Sequence, residues 1–256
     1  MIRGLYIAGT GMMLQRRHMD IITNNVVNVE TTGFKKENLV SHSFDEVMIR
    51  RINDTQTLGI RFYNRAPEVG PMNLGTQVDE KFIDFAQGDI DVTNRSTDLA
   101  LIGDAFFVMQ TPAGERYTKT GAFYIDELGY LVDGEGNFLL GENGPILVGG
   151  LNFTVDTTGT VRVDGDYLDQ IRIVSFEDNT ALRKQGSNLF FSLEEPQAAP
   201  NQYSIAQGAL ENSNVDIGRE MVTMLSVFRT YETNQRMITM IDESLGRAAN
   251  EIGRLR

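Results

Sequence analysis

An apolar stripe at helical spacing runs along each end of the chain, and these two stripes constrain the fold more than any other feature. Near the N-terminus the stripe residues alternate steps of four and three, with one polar interruption: Met1, Leu5, Ala8, Met12, Gln15, Met19, Ile22 and Val26. This heptad spacing predicts an amphipathic helix that can face a partner helix. Turn-forming residues follow, so we expect the helix to end near residues 28–33, with Gly33 in a left-handed conformation.

The C-terminal stripe is longer. It keeps three–four spacing through Met221, Met224, Phe228, Tyr231, Gln235, Ile238, Asp242, Leu245, Ala249 and Ile252. The stripe predicts a second long helix, and its spacing fits either a coiled coil or an ordinary helix on a globular core. In a coiled coil, Gln235 and Asp242 would lie on the seam, where polar residues can fix the register.

The middle of the chain has a different pattern. Short β-prone runs separated by turn clusters predict an antiparallel β domain. Residues 125–131 and 155–161 have the same pattern. In each, two β-prone runs are joined by an acidic turn that ends in glycine, which is typical of hairpins. Asn143-Gly144 and Asp164-Gly165 add two tight-turn signals. Between residues 37 and 87 the pattern is weak, which predicts an extended element lying on other subunits or a mobile loop.

Together these patterns predict an α+β chain, with long N- and C-terminal helices and a β-rich antiparallel middle domain. The predicted segments are an N-terminal assembly helix and motif (1–36), an extended or partly ordered connector (37–87), a β-rich domain (88–205) and a C-terminal assembly helix (206–256).

Composition narrows the possible partners and compartments. The 256 residues carry a formal charge of −12 and no cysteine. We expect no nucleic-acid partner, because phosphate binding requires clustered Lys and Arg, and no disulfide or thiolate site. Arg3, Arg16 and Arg17 interrupt any apolar signal-peptide core, so a Sec signal peptide is not expected. Since no apolar run is long enough to span a bilayer, a membrane-spanning protein is not expected either.

The residues that could carry chemistry are few. Neither His18 nor His42 has an acidic or cysteine partner at metal-ligand spacing. Residues 133–137 begin like a calcium loop, but Phe138 stands where that loop needs glycine and Gly144 where it needs a bidentate glutamate, so a hairpin turn is favoured. The sequence therefore predicts no catalytic, cofactor-binding or metal-binding residues, no cofactor, no small-molecule substrate and no enzyme.

Three segments, in order along the chain, resemble one known family. The N-terminal segment Asn24-Asn25-Val26-Val27-Asn28-Val29-Glu30-Thr31-Thr32-Gly33-Phe34-Lys35 is similar to the N-terminal motif of the bacterial flagellar rod and hook proteins. Residues 207–216 and 220–222 resemble that family's C-terminal motif, and residues 96–101, Phe106-Phe107 and 129–132 resemble its β domain. Val27 stands where the family usually has alanine. The resemblance leaves the proximal-rod and distal-rod branches open.

This resemblance implies a structural subunit of the flagellar basal-body rod. Such a subunit passes unfolded through the flagellar type III export channel and polymerises outside the inner membrane into a helical tube that transmits torque. The resemblance implies that its long N- and C-terminal helices pair as a coiled coil and carry this polymerisation. The implied partners are other copies, other rod and hook subunits and the export apparatus. We expect a self-association stripe of Leu5, Met12, Met19, Ile22, Met221, Phe228, Tyr231, Ile238 and Leu245. We also expect Asn24, Asn25 and Asn214 to cap helices and to form intersubunit hydrogen bonds.

Two alternatives come from other functional classes. A soluble coiled-coil adaptor would form a closed dimer or tetramer rather than an open polymer. A carbohydrate-active β protein would need two carboxylates across a sugar, for which Glu194-Glu195 and Asp242-Glu243 are the sequence candidates.

Overall fold

The computed structural model describes residues 2–50, 55–58, 61–64, 68–150, 152–186, 188–192, 195–198 and 203–254. Met1, Glu194 and the side chain of Ile252 lie outside the described residues. The chain forms two compact units that are discontinuous in sequence. Unit 1 comprises Met1–Thr23, Asn38–Lys81 and Met221–Arg256, and unit 2 comprises Asn24–Glu37 and Phe82–Glu220.

Two long helices lie near the ends of the chain, as the stripes predict. Helix α1 spans Ile2–Val27 and helix α2 spans Ile217–Arg254. The turn after α1 contains Gly33 at a φ of +67°, which confirms the predicted left-handed residue. Helix α2 begins after Asp216, whose Oδ1 accepts a hydrogen bond from the backbone N–H of Arg219 at 3.1 Å, as an N-cap residue does. No helix in the described part of the chain combines the length and apolarity needed to cross a membrane.

Three two-stranded antiparallel sheets are nested in sequence between residues 36 and 84, and we call these strands together the ribbon. Its strands are β1 (Lys36–Ser43), β2 (Val47–Arg50), β3 (Thr55–Leu58), β4 (Arg61–Asn64), β5 (Glu68–Met72) and β6 (Thr76–Asp84). Strand β1 pairs with β6, β2 with β5, and β3 with β4. The segment whose sequence pattern is weak therefore has regular structure over much of its described length.

Unit 2 holds the predicted antiparallel β structure. Its strands are β7 (Ile90–Val92), β8 (Leu99–Ile102), β9 (Phe106–Thr111), β10 (Gly114–Thr118), β11 (Tyr124–Ile125), β12 (Leu131–Val132), β13 (Phe138–Leu139), β14 (Phe153–Val155), β15 (Thr160–Val163), β16 (Asp166–Gln170), β17 (Ile173–Ser175), β18 (Arg183–Gln185), β19 (Leu189–Phe191), β20 (Gln197–Ala198), β21 (Ser204–Gln207) and β22 (Ala209–Glu211), with a short 3-10 helix at Asn179–Ala181. The largest sheet has the order β11-β12-β13-β9-β10-β19-β18, and β17 also pairs with β9.

Strand β9 is buried on both faces and organises two hydrophobic cores. Phe107 and Met109 point into one core, whereas Phe106 and Val108 point into the other. This alternation follows from the two-residue period of a strand.

The two repeated hairpin segments fold alike. In the first, the N–H of Gly129 donates to the carbonyl of Asp126 at 2.8 Å, and the N–H of Asp126 donates to the carbonyl of Tyr130 at 2.9 Å. Gly159 and Asp156 repeat the first of these bonds at 2.8 Å, and both glycines have φ near +90°, at +91° and +87°. These bonds confirm the predicted turns, because each turn needs one positive-φ residue at its glycine.

Candidate self-association surface

Within unit 1, helices α1 and α2 lie in contact at two glycines of α1. A Cβ atom built at Gly4 would lie 3.3 Å from Cδ1 of Ile241, and one built at Gly11 would lie 3.0 Å from Nδ2 of Asn234. The contacts are seven residues apart on both helices and run in opposite directions, so the two helices are antiparallel. The absence of side chains at these positions lets the side chains of Ile241 and Asn234 pack against the backbone of α1. Supercoiling of the pair as a coiled coil stays a prediction.

On α2, the residues that are shielded from solvent differ from the predicted stripe at every second stripe position. Met224, Tyr231, Ile238 and Leu245 are partly buried, as a seam requires, but the positions between them are not those predicted. Val227, Asn234 and Ile241 are protected in place of Phe228, Gln235 and Asp242, which are exposed. Gln235 and Asp242 are therefore exposed in the single chain, and their place on a seam with a partner helix stays a prediction. The physical reason for the difference between the two stripes is clearest at the last pair, because burying Ile241 costs no charge desolvation, whereas burying Asp242 would.

The residues expected to mediate self-association divide by exposure. Ile22 is buried, and Met12, Met19, Tyr231, Ile238 and Leu245 are partly buried. Leu5, Met221 and Phe228 are exposed. The exposed group leaves about two-fifths to one half of each residue's surface open to contact with another molecule.

Exposed apolar side chains form a ridge on α2, which we call the α2 ridge: Met221, Val222, Leu225 and Phe228. At 100° per residue, these side chains lie on one side of the helix. Unit 1 also has an apolar groove of about 650 Å³. The groove is lined by residues of both helices: Leu5, Tyr6, Gly9, Thr10, Met12, Met13, Arg16, Tyr231 and Ile238.

The asparagines of the predicted motifs make their hydrogen bonds within the chain. The side-chain amide of Asn25 is buried and bonds both backbone groups of Glu37, donating to its carbonyl at 2.9 Å and accepting from its N–H at 3.0 Å. Asn214 accepts from the N–H of Lys36 at 2.8 Å and donates to the carbonyls of Asp84 and Ala86. These two amides thus act as backbone partners at the start of β1, and an intersubunit role for them stays a prediction.

Asn24 also bonds within the chain. Its Nδ2 donates to Oε1 of Glu37 at 3.3 Å, and its backbone carbonyl accepts from the N–H of Asn28 at 3.2 Å. The same Glu37 oxygen accepts from Nζ of Lys184 at 2.9 Å. Within unit 2, the last turn of α1 is therefore linked to Glu37 and, through Glu37, to Lys184.

A buried ion pair lies at the centre of the same region, which we call the clasp: residues 24–37 with their partners in residues 84–88, 118–120, 184–188 and 211–220. Nζ of Lys35 lies 2.5 Å from Oε1 of Glu211, and the two side chains are 0% and 1% exposed. The same nitrogen donates to the carbonyl of Ala86 at 2.8 Å, and the carboxylate accepts from the N–H of Gly88 at 2.9 Å. The second carboxylate oxygen of Glu211 has no hydrogen-bond partner among the described residues.

Gly33 lets the clasp close. A Cβ atom built there would lie 2.7 Å from backbone atoms of Thr120, closer than real Cβ contacts come. The Gly33 N–H donates to the carbonyl of Glu211 at 2.7 Å. Beside it, Phe34 is fully buried, with Nζ of Lys184 4.3 Å from the ring centroid, within cation–π range. The glycine and the aromatic residue of the N-terminal motif thus have packing roles inside the chain.

A second buried lysine lies near the ion pair. The pKa of Lys119 is lowered to about 8, mainly by burial and also by the charge of Lys35, while the charges of Glu211 and Asp104 act in the opposite direction. Nζ of Lys119 donates to the carbonyl of Gly103 at 2.8 Å. Sequence reasoning missed this lysine, because nothing in its local pattern distinguishes it from an exposed one.

We expect Lys119 to make stability depend on alkaline pH. Its pKa is about 8 in the folded chain and 10.5 in the unfolded chain, so between these values the unfolded state binds more protons and stability rises with pH. The full contribution is on the order of 3 kcal/mol. Denaturant unfolding at pH 7.5 and pH 10 should show the wild type gaining stability relative to Lys119→Met. An identical pH response of the two proteins would contradict the assignment.

The segment that begins like a calcium loop is a hairpin turn, as predicted. Oδ1 of Asp133 accepts from the N–H groups of Glu135 and Asn137 at 2.8 and 2.9 Å, and its Oδ2 accepts from Nδ2 of Asn137 at 2.8 Å. The carboxylate is thus occupied by the turn itself. The part of the chain that the structure describes holds no group of three or more His, Cys, Asp or Glu side chains that could bind a metal ion.

Comparison with known families matches the chain at both ends and in the middle. Residues 5–35 match the family described as flagella basal body rod protein, residues 100–163 match the flagellar hook protein FlgE/F/G D1 domain, and residues 206–251 match the flagellar basal body rod FlgEFG protein C-terminal region. The first and last matches include most of the clasp residues and much of both helices.

Curated relatives match over nearly their whole length. The chain is 32% identical to the flagellar hook-basal body complex protein FlhO of Bacillus subtilis (strain 168), with 100% of both chains covered. It is 34% identical to the flagellar basal-body rod protein FlgG of Borreliella burgdorferi, with 98% of each chain covered. The chain belongs to the flagellar rod and hook protein family.

Membership of this family establishes the role and the place of the protein. It is a structural subunit of the flagellar basal-body rod, and it is located in the flagellar basal body. The comparisons support neither the closed coiled-coil adaptor nor the carbohydrate-active β protein.

Proposed function

We propose that this rod subunit polymerises through the exposed apolar surfaces of unit 1, with the α2 ridge of one copy packing into the apolar groove of another. The observation that carries the proposal is that the ridge and the groove lie on different surfaces of the same unit. A contact between two different surfaces is heterologous, and repeating it without closure generates a helical polymer. A closed two-fold dimer would instead require a self-complementary patch.

The chemistry of the two surfaces supports this pairing. Both are predominantly apolar, and exposed apolar patches in soluble proteins mark interaction sites. The ridge includes Met221, and the groove includes Met12 and Met13, whose flexible side chains adapt to irregular surfaces. Burial of these side chains supplies a driving force of roughly 25 cal/mol per Å² of apolar surface removed from water.

The nested ribbon gives a second surface for contact with neighbouring subunits. A two-stranded ribbon is marginally stable in isolation, and its edges carry unpaired backbone groups. Val47, Met48 and Val69 expose apolar side chains on the ribbon. We infer that the ribbon lies on neighbouring subunits in the rod, where these side chains and edges gain partners.

We also propose that the chain reaches the rod by flagellar type III export in an unfolded state, and that it acts without catalysis. The absence of cysteine supports this route, because an unfolded chain then cannot form crosslinks during transit. Other rod and hook subunits, together with the export apparatus, are the partners that this proposal requires.

Introducing a charge into the α2 ridge is expected to block polymerisation. In Leu225→Glu, a carboxylate would have to lose its water at an apolar contact, which costs several kcal/mol. We expect the concentration at which tubes form to rise by at least about tenfold, equivalent to 1.4 kcal/mol. Electron microscopy and sedimentation of the concentrated full-length protein measure this threshold.

The matched control is Ser244→Glu, which adds the same charge at an exposed position of α2 about five helical turns from Leu225. This variant should polymerise like the wild type. Equal thresholds for Leu225→Glu and the wild type would refute the role of the ridge. Discrete dimers or tetramers in place of tubes would instead support a closed adaptor.

A further inference from the structure

The charge of the chain is divided unevenly between the two units. Unit 2 carries 24 acidic and 10 basic side chains, a net charge of −14, whereas unit 1 carries 11 acidic and 13 basic side chains, a net charge of +2. All of the excess negative charge of the protein therefore belongs to the β-rich unit. The unit that presents the apolar ridge and groove is almost neutral.

Several acidic side chains of unit 2 face solvent without compensation. Asp126 and Glu127 lie in the turn between β11 and β12, Asp166 begins β16, and Glu142 and Glu177 lie in loops. All five are exposed, and none makes an ion pair or side-chain hydrogen bond with another described residue. Their charges therefore contribute fully to the field around unit 2.

This field acts against any contact that brings two copies together. Like charges repel over a distance set by the Debye length, about 30 Å at 0.01 M salt and about 10 Å at 0.1 M. The hydrophobic attraction between ridge and groove does not depend on such screening. Low ionic strength therefore leaves the apolar attraction intact and adds a long-range repulsion.

We propose that the acidic surface of unit 2 controls self-association through unit 1. Repulsion between the unit 2 surfaces of neighbouring copies holds the subunits apart at low ionic strength, and screening of that repulsion allows them to assemble. The inference rests on the proposed polymerisation and adds its regulation. It also assigns the contacts between copies to unit 1, because contact between two unit 2 surfaces brings the excess charges closest together.

The test measures the assembly threshold of the full-length protein by sedimentation and electron microscopy at 20 and 200 mM NaCl. We expect the threshold of the wild type to fall by at least about tenfold between these concentrations. A neutralised variant carries Asp126→Asn, Glu127→Gln, Glu142→Gln, Asp166→Asn and Glu177→Gln, which changes the charge of unit 2 from −14 to −9. It should assemble at a lower threshold in 20 mM NaCl and respond less to salt.

A matched variant exchanges acid for acid at the same five positions: Asp126→Glu, Glu127→Asp, Glu142→Asp, Asp166→Glu and Glu177→Asp. It should behave like the wild type, which separates the effect of charge from that of altered side chains. A salt-independent threshold, or equal thresholds for the neutralised variant and the wild type, would overturn this inference and leave the proposed polymerisation standing. Failure of every variant to assemble at either salt concentration would overturn both.

Discussion

Glu211→Gln is expected to lower the free energy of unfolding by about 3–5 kcal/mol. The substitution removes the carboxylate from a fully buried ion pair, and breaking such a pair leaves an uncompensated charge in the interior. It also leaves Lys35 and Lys119 facing each other without a shared carboxylate. We therefore expect Glu211→Gln to be more damaging than Lys35→Met, in which Lys119 can still interact with Glu211. Denaturant titration of the full-length variants measures both values.

A double variant and an exposed pair provide the controls. Lys35→Met combined with Glu211→Leu should recover much of the lost stability, because replacing both buried charges by apolar groups is often nearly neutral. At the exposed pair Arg50–Glu68, whose side chains are 63% and 52% exposed, Glu68→Gln should change stability by less than about 1 kcal/mol. If Glu211→Gln cost no more than Glu68→Gln, the clasp would not depend on its ion pair.

Gly33→Ala is expected to destabilise the chain by about 4 kcal/mol. Part of this cost comes from placing a residue with a Cβ at a φ of +67°, roughly 1–2 kcal/mol. The rest, about 1–3 kcal/mol, comes from the clash of the new methyl group with the backbone of Thr120, which cannot move without opening the clasp. The free energy of unfolding is again the measurement.

Gly136→Ala separates the two contributions. Gly136 also has a positive φ, +84°, but a Cβ built there meets no heavy atom within 4 Å. This variant should show only the conformational cost. Equal losses at the two positions would show that the close approach to Thr120 contributes nothing.

The parts of the fold that the sequence predicts are those decided by neighbouring residues. The acidic turns ending at Gly129 and Gly159 were predictable because turn chemistry is local and glycine supplies the positive φ. The end of α1 and the left-handed Gly33 were predictable for the same reason. The family resemblance contributed the order of the segments and the structural role.

The features that could not be predicted depend either on residues far apart in sequence or on a choice between two heptad frames that fit the same helix. Lys35 and Glu211 are separated by 176 positions, and nothing in either local pattern identifies the other. The shift of the α2 stripe could not be read from spacing, because Val227 and Phe228 are both apolar and fit two overlapping frames. Nested ribbon pairing was similarly hidden, since mostly exposed strands such as β2 and β5 show no clear period.

Because unit 2 is made of two separate stretches of sequence, the clasp cannot form until both stretches are available. Its N-terminal segment, Asn24–Glu37, supplies Lys35, but the carboxylate that neutralises this lysine lies in the last part of the same unit, at Glu211. A chain that becomes available from its N-terminus therefore holds a lysine without its counter-charge until most of the sequence has followed. The buried ion pair of the clasp can therefore form only once Glu211 is available to Lys35.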